Sequence, residues 1–298
     1  MTRGIASVCV ALLVALLYGC TIVPAEPLRI SANLWIGYTP LFYARERGWL
    51  KAHNIELIDV VSLYENRQMY AVGNADAFTG TEYEYHTMRA QHSDLVPLIL
   101  FDRSTGGDVV LANRTLSQLQ ESNETIDLYL EADSVSRELF EAFARAYHLE
   151  DKRLHVVNRD PDSISHLPMH TNPTLIVTYE PYDDTLYRTG YHKISSSADG
   201  NLSFIIIDAL YSDLENLQKF HREFAALNRL VAKALEVLKN DPKSFYRVVR
   251  PYLHGESYYA FRASLRGIAW IYDRRDRPLL EQLRKQRIPT ENLMRPQR

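Results

Sequence analysis

Acidic and aromatic side chains follow several of the predicted strands, at the points where each strand ends. The candidate ligand-binding residues are Trp35, Tyr38, Thr81, Glu82, Asp102, Ser104, Asp108, Tyr179 and Glu180. Aromatic faces attract cations by roughly 0.5–2 kcal/mol, and a hydrogen bond to an ionised carboxylate contributes about 1.5–3 kcal/mol. Arg103 is the one basic residue at a predicted strand end. This set favours a small, flat or amine-bearing ligand, such as an aminopyrimidine or a related nitrogenous metabolite.

The same positions allow a second interpretation. A carboxylate at a strand end can face solvent, or it can lie in the first turn of a helix, where the helix dipole favours negative charge. Backbone amides near Ser104, Thr105 and Ser134 would then bind an anion such as nitrate or a sulfonate. The sequence alone leaves both ligand classes open.

Motifs for enzyme chemistry are absent from the sequence. It has no glycine-rich phosphate loop, no dinucleotide fingerprint and no G-x-S-x-G nucleophile elbow. His166 and His170 are four residues apart, but Pro168 between them disfavours one helical face. The two cysteines, Cys9 and Cys20, lie near the N-terminus, which excludes a cysteine-rich metal site in the body of the chain. We therefore expect a binding protein that is not an enzyme and that holds no cofactor and no metal.

The elements that must position the candidate residues alternate between strands and helices. Apolar runs predict strands at 28–34, 55–61, 75–78, 96–101, 109–112, 126–130, 154–157, 174–179, 192–195 and 202–210. The chain from Asp213 onward is predicted to be helical, including 256–273. This order predicts an α/β fold with mostly parallel sheets, in which ligands bind at the carboxyl ends of the strands.

The composition is that of a globular protein with one large or two smaller domains. The chain has 298 residues, of which 46% are hydrophobic and 24% are charged, and these values exclude wholesale disorder. The formal net charge of −3 argues against a nucleic-acid-binding protein, because such proteins normally carry a basic excess.

The N-terminus is typical of an exported lipoprotein. The apolar run at 5–17 is shorter than the about 20 residues of a membrane-spanning helix. The Leu-Tyr-Gly segment before Cys20 resembles a bacterial lipobox, with Tyr18 where Ser, Ala or Thr is usual. We predict a signal peptide at 1–19, acylation of Cys20 and a tether at 20–27; a plain signal peptide is the alternative. The body would lie on the periplasmic side of a bacterial membrane, anchored stably by two or three acyl chains.

Four segments carry further patterns, in order along the chain. They are W-x-G-Y-x-P-L within 33–50, G-x-x-D-A at 73–77, D-x-S-x-G-x-D at 102–108 and V-x-Y-E-P-Y at 177–182. Together they resemble the nitrate/sulfonate/taurine and thiamine-pyrimidine-precursor family of periplasmic solute-binding proteins. Ile36 departs from the pattern, since the family often has Pro there.

The resemblance implies a type II periplasmic-binding-protein fold, with two lobes, a central cleft and two interlobe crossovers. The first lobe would comprise 28–103 and 204–298, and the second lobe 104–203. A small-molecule ligand would be trapped by hinge closure, and the closed monomer would be recognised by an ABC permease. A membrane signalling protein is the alternative partner.

The predicted anchor can be tested by replacing the acylated residue. The variant Cys20→Ser has no sulfur to acylate, so we expect it to be released as soluble or unprocessed protein, while the wild-type chain stays in the detergent phase of a two-phase extraction. Identical partitioning of the two proteins would show that Cys20 carries no lipid.

Overall fold

Eleven strands form two separate sheets in the computed structural model, which describes residues 26–203, 205–272, 274 and 276–295. The strands are β1 (Leu28–Asn33), β2 (Ile55–Val60), β3 (Ala77–Gly80), β4 (Val96–Ser104), β5 (Asp108–Ala112), β6 (Ile126–Leu130), β7 (Leu154–Asn158), β8 (Thr174–Tyr179), β9 (His192–Ser196), β10 (Ile207–Ser212) and β11 (Ile268–Trp270).

Helices cover these sheets and form most of the C-terminal region. They are α1 (Thr39–Glu46), α2 (Leu63–Ala71), α3 (Glu82–Arg89), α4 (Leu116–Glu121), α5 (Val135–Ala146), α6 (Pro161–Ser165), α7 (Asp183–Thr189), α8 (Leu214–Lys219), α9 (His221–Asn240), α10 (Pro242–Val249), α11 (Tyr258–Ser264) and α12 (Arg277–Lys285). Short 3₁₀ turns lie at Ile36–Tyr38, Lys51–His53, Arg250–Tyr252 and Leu265–Gly267.

The first sheet has the strand order β11-β4-β10-β3-β1-β2, and the second has β7-β6-β8-β5-β9. β1 runs parallel to β2 and β3, whereas β10 lies antiparallel between β3 and β4. Because β10 and β11 come late in the chain, two separate segments build the first lobe. All strands of the second lobe lie between 108 and 196. The predicted lobe boundaries at 103/104 and 203/204 remain predictions.

Two crossovers join the lobes, one at 105–107 and one that includes 197–203 and 205–206. The carbonyl of Gly267 accepts hydrogen bonds from the N–H groups of Thr105 and Gly107 at 2.7 and 2.9 Å. A Cβ on Gly107 would lie 2.6 Å from Cη2 of Trp35 and 3.2 Å from that carbonyl oxygen. The first crossover therefore packs so closely on Gly267 and on the Trp35 ring that position 107 has no room for a side chain.

The first lobe is held by packing between early and late helices. Tyr43 of α1 stacks on Phe245 of α10, with the ring centroids 4.6 Å apart, and Phe42 stacks on Tyr252 at 4.8 Å. Such aromatic pairs contribute about 0.5–1.5 kcal/mol beyond the area they bury. α10 and the 3₁₀ turn that follows it therefore pack directly on α1.

The predicted mostly parallel character of the sheets is wrong, because five of the nine strand pairings among the described residues are antiparallel. Two predicted elements are also wrong in detail. The predicted helix at 256–273 ends at Ser264, and Ile268–Trp270 forms β11. The reason is tertiary, since β11 pairs antiparallel with the outer edge of β4. The strand predicted at 202–210 begins only at Ile207, and Phe204 lies outside the described residues.

The membrane anchor falls largely outside the described part of the chain. The predicted signal peptide, Cys20 and residues 21–25 of the tether lie there. Among the described residues, no helix combines the length and the apolar character needed to cross a membrane.

Glycines in the two crossovers provide a matched test of the packing. We expect Gly107→Ala to lower the free energy of unfolding by about 1–3 kcal/mol, because the added methyl group overpacks a filled site. Gly200→Ala is the control, since its Cβ would have no atom within 4 Å. Denaturant unfolding measures both. Equal stabilities for the two variants would contradict the close approach of Gly107 to Trp35.

Candidate functional site

A cavity lies between the two lobes, at the carboxyl ends of β1, β3 and β8. Its lining residues are Asn33, Trp35, Leu63, Thr81, Asp108, Val135, Tyr179, Ile206 and Asp208. Asp108, Val135 and Tyr179 come from the second lobe, so both lobes contribute walls. The space open to a water-sized sphere between the lobes is about 10 Å³, which is room for about one water molecule. A larger ligand therefore needs the lobes further apart than they are here.

Two carboxyl groups dominate the polar lining of the cavity. Asp108 and Asp208 are almost fully buried, and atom Oδ2 of each has no hydrogen-bond partner. Among the described residues, no Lys or Arg lines the cavity. A buried carboxyl oxygen without a partner carries an uncompensated desolvation cost. A ligand that donates hydrogen bonds or brings positive charge would remove that cost.

A third carboxyl group, that of Asp102, lies directly behind the lining. Asp102 of β4 and Asp208 of β10 are paired across the two strands. The Tyr38 hydroxyl donates to Oδ1 of Asp208 at 2.6 Å, and the indole N–H of Trp35 lies 3.3 Å from both oxygens of Asp102. A Cβ on Gly37 would lie 1.8 Å from Oδ2 of Asp102. The W-I-G-Y segment therefore needs its glycine because the carboxyl group occupies the place of a side chain.

Aromatic rings form the wall that joins the two lobes. Trp35 of the first lobe meets Tyr179 of the second edge to face, with ring centroids 5.8 Å apart and an interplanar angle of 78°. The side-chain amide of Asn33 donates to the Tyr179 hydroxyl at 3.1 Å. These rings can attract a cation in the cavity.

Three more of the predicted site residues position the cavity. Thr81 caps the N-terminus of α3 and lines the cavity. Oε2 of Glu82 accepts the N–H of Ile207, the first residue of β10, at 3.1 Å. The Ser104 hydroxyl lies 2.7 Å from Oγ of Ser197, which joins the two crossovers, and it accepts the Asp108 N–H at 3.2 Å. Glu82 and Ser104 do not line the cavity.

Glu180 belongs to a different acidic cluster and is not among the lining residues. The Ser264 hydroxyl lies 3.0 Å from Oε2 of Glu180 and 2.8 Å from Oε1 of Glu256. Asp183 also hydrogen-bonds Glu180, and burial raises the pKa of all three carboxyl groups. In the described part of the chain, no group of three or more His, Cys, Asp or Glu is arranged to hold a metal ion.

Burial makes the carboxyl groups of the cleft weak acids. It raises the pKa of Asp108 to about 7 and that of Glu82 to about 8. Burial also raises the pKa values of Asp102 and Asp208 well above the usual range, and repulsion from Asp108 acts on Asp102 while repulsion from Asp102 acts on Asp208. Near neutral pH the empty cleft therefore holds protons that a bound cation would displace.

Sequence reasoning missed five of the lining residues. They are Asn33, Leu63, Val135, Ile206 and Asp208. Asp208 did carry a signal, since it interrupts the apolar run Ile-Ile-Ile-Asp-Ala-Leu. Leu63 and Val135 are each the first residue of a helix, and their apolar side chains carried no signal for ligand binding.

The raised pKa values predict how stability depends on pH. Unfolded carboxyl groups lose their protons near pH 4, whereas Asp108 keeps its proton to about pH 7 in the folded state. Between these values the folded state binds more protons, so the free energy of unfolding falls as pH rises from about 4 to above 7. We expect Asp108→Asn, measured by unfolding at several pH values, to show a shallower fall.

The variant comparison separates Asp108 from other titrating groups. His254 makes the free energy of unfolding rise with pH, because burial lowers its pKa. This contribution is the same in wild type and in Asp108→Asn. The exposed Glu150 provides the control Glu150→Gln, which should follow the wild-type curve. Parallel curves for wild type and Asp108→Asn would contradict a raised pKa at this site.

Several solved structures share this architecture at low sequence identity. The ligand binding component of an ABC-type import system from Staphylococcus aureus, with zinc bound, matches with a TM-score of 0.67 and 14% identity over 88% of this chain and 92% of that one. The periplasmic aliphatic sulphonate binding protein of Escherichia coli matches with a TM-score of 0.66 and 13% identity over 92% and 95%. The periplasmic nitrate-binding protein of Synechocystis matches with a TM-score of 0.59 and 10% identity over 76% and 66%.

The remaining comparisons found no relative. No protein-family model matches the sequence, and no curated protein matches it. The likeness therefore rests on the overall similarity of the structures. This confirms the predicted architecture, and the chain has the fold of the periplasmic binding proteins.

Proposed function

We propose that this protein is an extracytoplasmic solute-binding protein that captures a small cationic or amine-bearing ligand between its two lobes. The observation that carries the proposal is the pair of buried carboxyl groups in the cavity. Asp208 comes from the first lobe and Asp108 from the second, and each has an oxygen without a hydrogen-bond partner. A cation between them would bond to both lobes at once.

The same geometry supports capture by hinge closure. Residues of both lobes line the cavity, so a ligand held there would be enclosed when the lobes approach and would favour the closed form. A nitrogen heterocycle would add contacts with the rings of Trp35 and Tyr179, which meet at the cavity wall. No covalent step is part of the proposal, and we expect no catalytic turnover.

An anionic ligand fits the cavity less well. Two of the structural neighbours are named for sulphonate and nitrate binding, and such ligands need positive charge or free N–H groups. Here the described lining contains Asp108 and Asp208 and no Lys or Arg. We therefore propose that the chain shares the architecture of those proteins but binds a ligand of opposite charge.

The proposed partner of this protein is based on the names of the structurally similar proteins. One of them is the ligand binding component of an ABC-type import system, and we propose delivery to an ABC permease by a protein held to the membrane through Cys20. A membrane signalling protein could recognise the same closed form. Loss of amine uptake in cells that lack the protein supports transport, whereas unchanged uptake with a lost transcriptional response supports signalling.

Calorimetric titration of the mature chain tests the ligand class. The probes are ethylammonium, ethanolamine, 4-aminopyrimidine, methanesulfonate and nitrate. We expect an amine to bind, and Asp208→Asn to weaken it about 10- to 100-fold, because a charge-assisted hydrogen bond is worth about 1.5–3 kcal/mol. The control Glu150→Gln removes an equal charge from the surface and should leave affinity unchanged. Tight binding of methanesulfonate or nitrate, unaffected by Asp208→Asn and Asp108→Asn, would overturn the proposal.

A further inference from the structure

The first turns of two helices, one from each lobe, meet at the cavity. Leu63 begins α2 of the first lobe and Val135 begins α5 of the second, and both residues line the cavity. The first N–H groups of a helix have no partner within the helix, and the helix dipole adds partial positive charge there. A helix start is therefore a natural place for an anion to bind.

A carboxylate from the opposite lobe occupies the start of α2. Glu131 follows β6 of the second lobe, and its Oε1 accepts the N–H of Tyr64 at 2.6 Å. The Ser62 hydroxyl and the Leu63 N–H also hydrogen-bond this carboxyl group. Glu131 is almost fully buried. Its contact with the start of α2 therefore lies inside the cleft and not at the solvent-exposed rim.

A carboxyl group of the first lobe occupies the start of α5 in the second lobe. Glu84 of α3, in the first lobe, accepts the Val135 N–H with Oε1 at 3.3 Å. Its Oε2 accepts the N–H of Thr81 at 3.0 Å and the Thr81 hydroxyl at 2.6 Å, which fixes the side chain in the capping box of its own helix. Glu84 is fully buried. Each lobe therefore supplies a carboxylate to a helix start of the other.

The nearest buried cation does not restore a site for an anion. Arg67 lies on α2, donates to the carbonyl of Asp133 and contacts the rings of Tyr64 and Tyr83. Burial raises the pKa of Glu84, and the hydrogen bonds from Thr81 and the charge of Arg67 offset part of that rise. Burial also raises the pKa of Glu131 to about 7, so these two carboxyl groups carry only part of their negative charge at neutral pH.

From these contacts we infer that Glu131 and Glu84 are specificity-determining residues that exclude oxyanions from the cavity by occupying both helix starts. The inference rests on the proposed function of the cleft and adds the selection between ligand charges. An oxyanion that entered would have to displace a buried carboxyl group of the protein, because Glu131 and Glu84 already accept the N–H groups at the two helix starts. A cation meets no such barrier.

The test removes one of the two carboxylates and asks whether an anion can replace it. We expect methanesulfonate to bind Glu131→Ala at least about tenfold more tightly than wild type, because the N–H groups of α2 become free and a negative charge is lost. Glu131→Gln keeps an acceptor for Tyr64, so its gain should be smaller. The exposed Glu150 provides the control Glu150→Ala, which should gain nothing.

Each outcome decides the inference. Equal methanesulfonate affinity in wild type and folded Glu131→Ala overturns it, and so does tight binding to wild type. Should Glu131→Ala fail to fold by circular dichroism, the melting temperature of Glu131→Gln decides: a rise with added methanesulfonate that wild type lacks supports the inference, and no rise overturns it.

Titration of wild type with ethylammonium and 4-aminopyrimidine reports on the proposed function separately. Amine binding to wild type without any anion gain in the Glu131 variants overturns the role of Glu131 and leaves the ligand class standing. Anion gain in the variants supports the role of the carboxylate, even when neither amine binds and the proposed ligand class fails.

Discussion

The carboxyl groups of Asp102 and Asp208, buried side by side on paired strands, set the chemistry of the cleft. Their pairing exists because β10, from the late part of the chain, inserts antiparallel between β3 and β4. Both are buried, and ionising two neighbouring buried carboxyl groups is costly, so the cleft retains protons. The surrounding structure fits this pair: Gly37 makes room for Asp102, and the Tyr38 hydroxyl donates to Asp208.

The acids of the cleft act as a connected group. The pKa of Asp208 is raised by the charges of Asp102, Asp108 and Glu82, and that of Asp108 is raised by Glu84. A cation that enters would be stabilised by several groups at once, and removal of one acid would change the protonation of the others. The same acidic groups that favour a cation therefore make the site selective for cations over anions.

Much of the fold could be predicted, because buried strands carry long apolar runs with polar residues at their ends. β8 has the predicted bounds, Thr174–Tyr179, and Asp241-Pro242 opens α10 as expected. β11 could not be predicted, since three residues become a strand only through the free edge of β4. Asp208 lies near the start of the antiparallel strand β10. A search limited to the carboxyl ends of strands therefore does not find it.

The candidate site could be predicted where a polar residue follows a strand in the chain. Trp35, Thr81, Asp108 and Tyr179 were expected together, and all four line the cavity. Leu63 and Val135, at the starts of α2 and α5, complete the lining. Their presence there depends on how the two lobes pack together, which local sequence patterns do not show.

Proton release on ligand binding tests the central claim most directly. Calorimetric titration of the wild-type chain with ethylammonium near neutral pH, repeated in two buffers of different ionisation enthalpy, measures the protons exchanged. Because the pKa of Asp108 in the empty cleft is about 7 and a cation lowers it, the account predicts a net release of protons on binding. Binding with no proton exchange, or with proton uptake, would contradict a cation site built from protonated carboxyl groups.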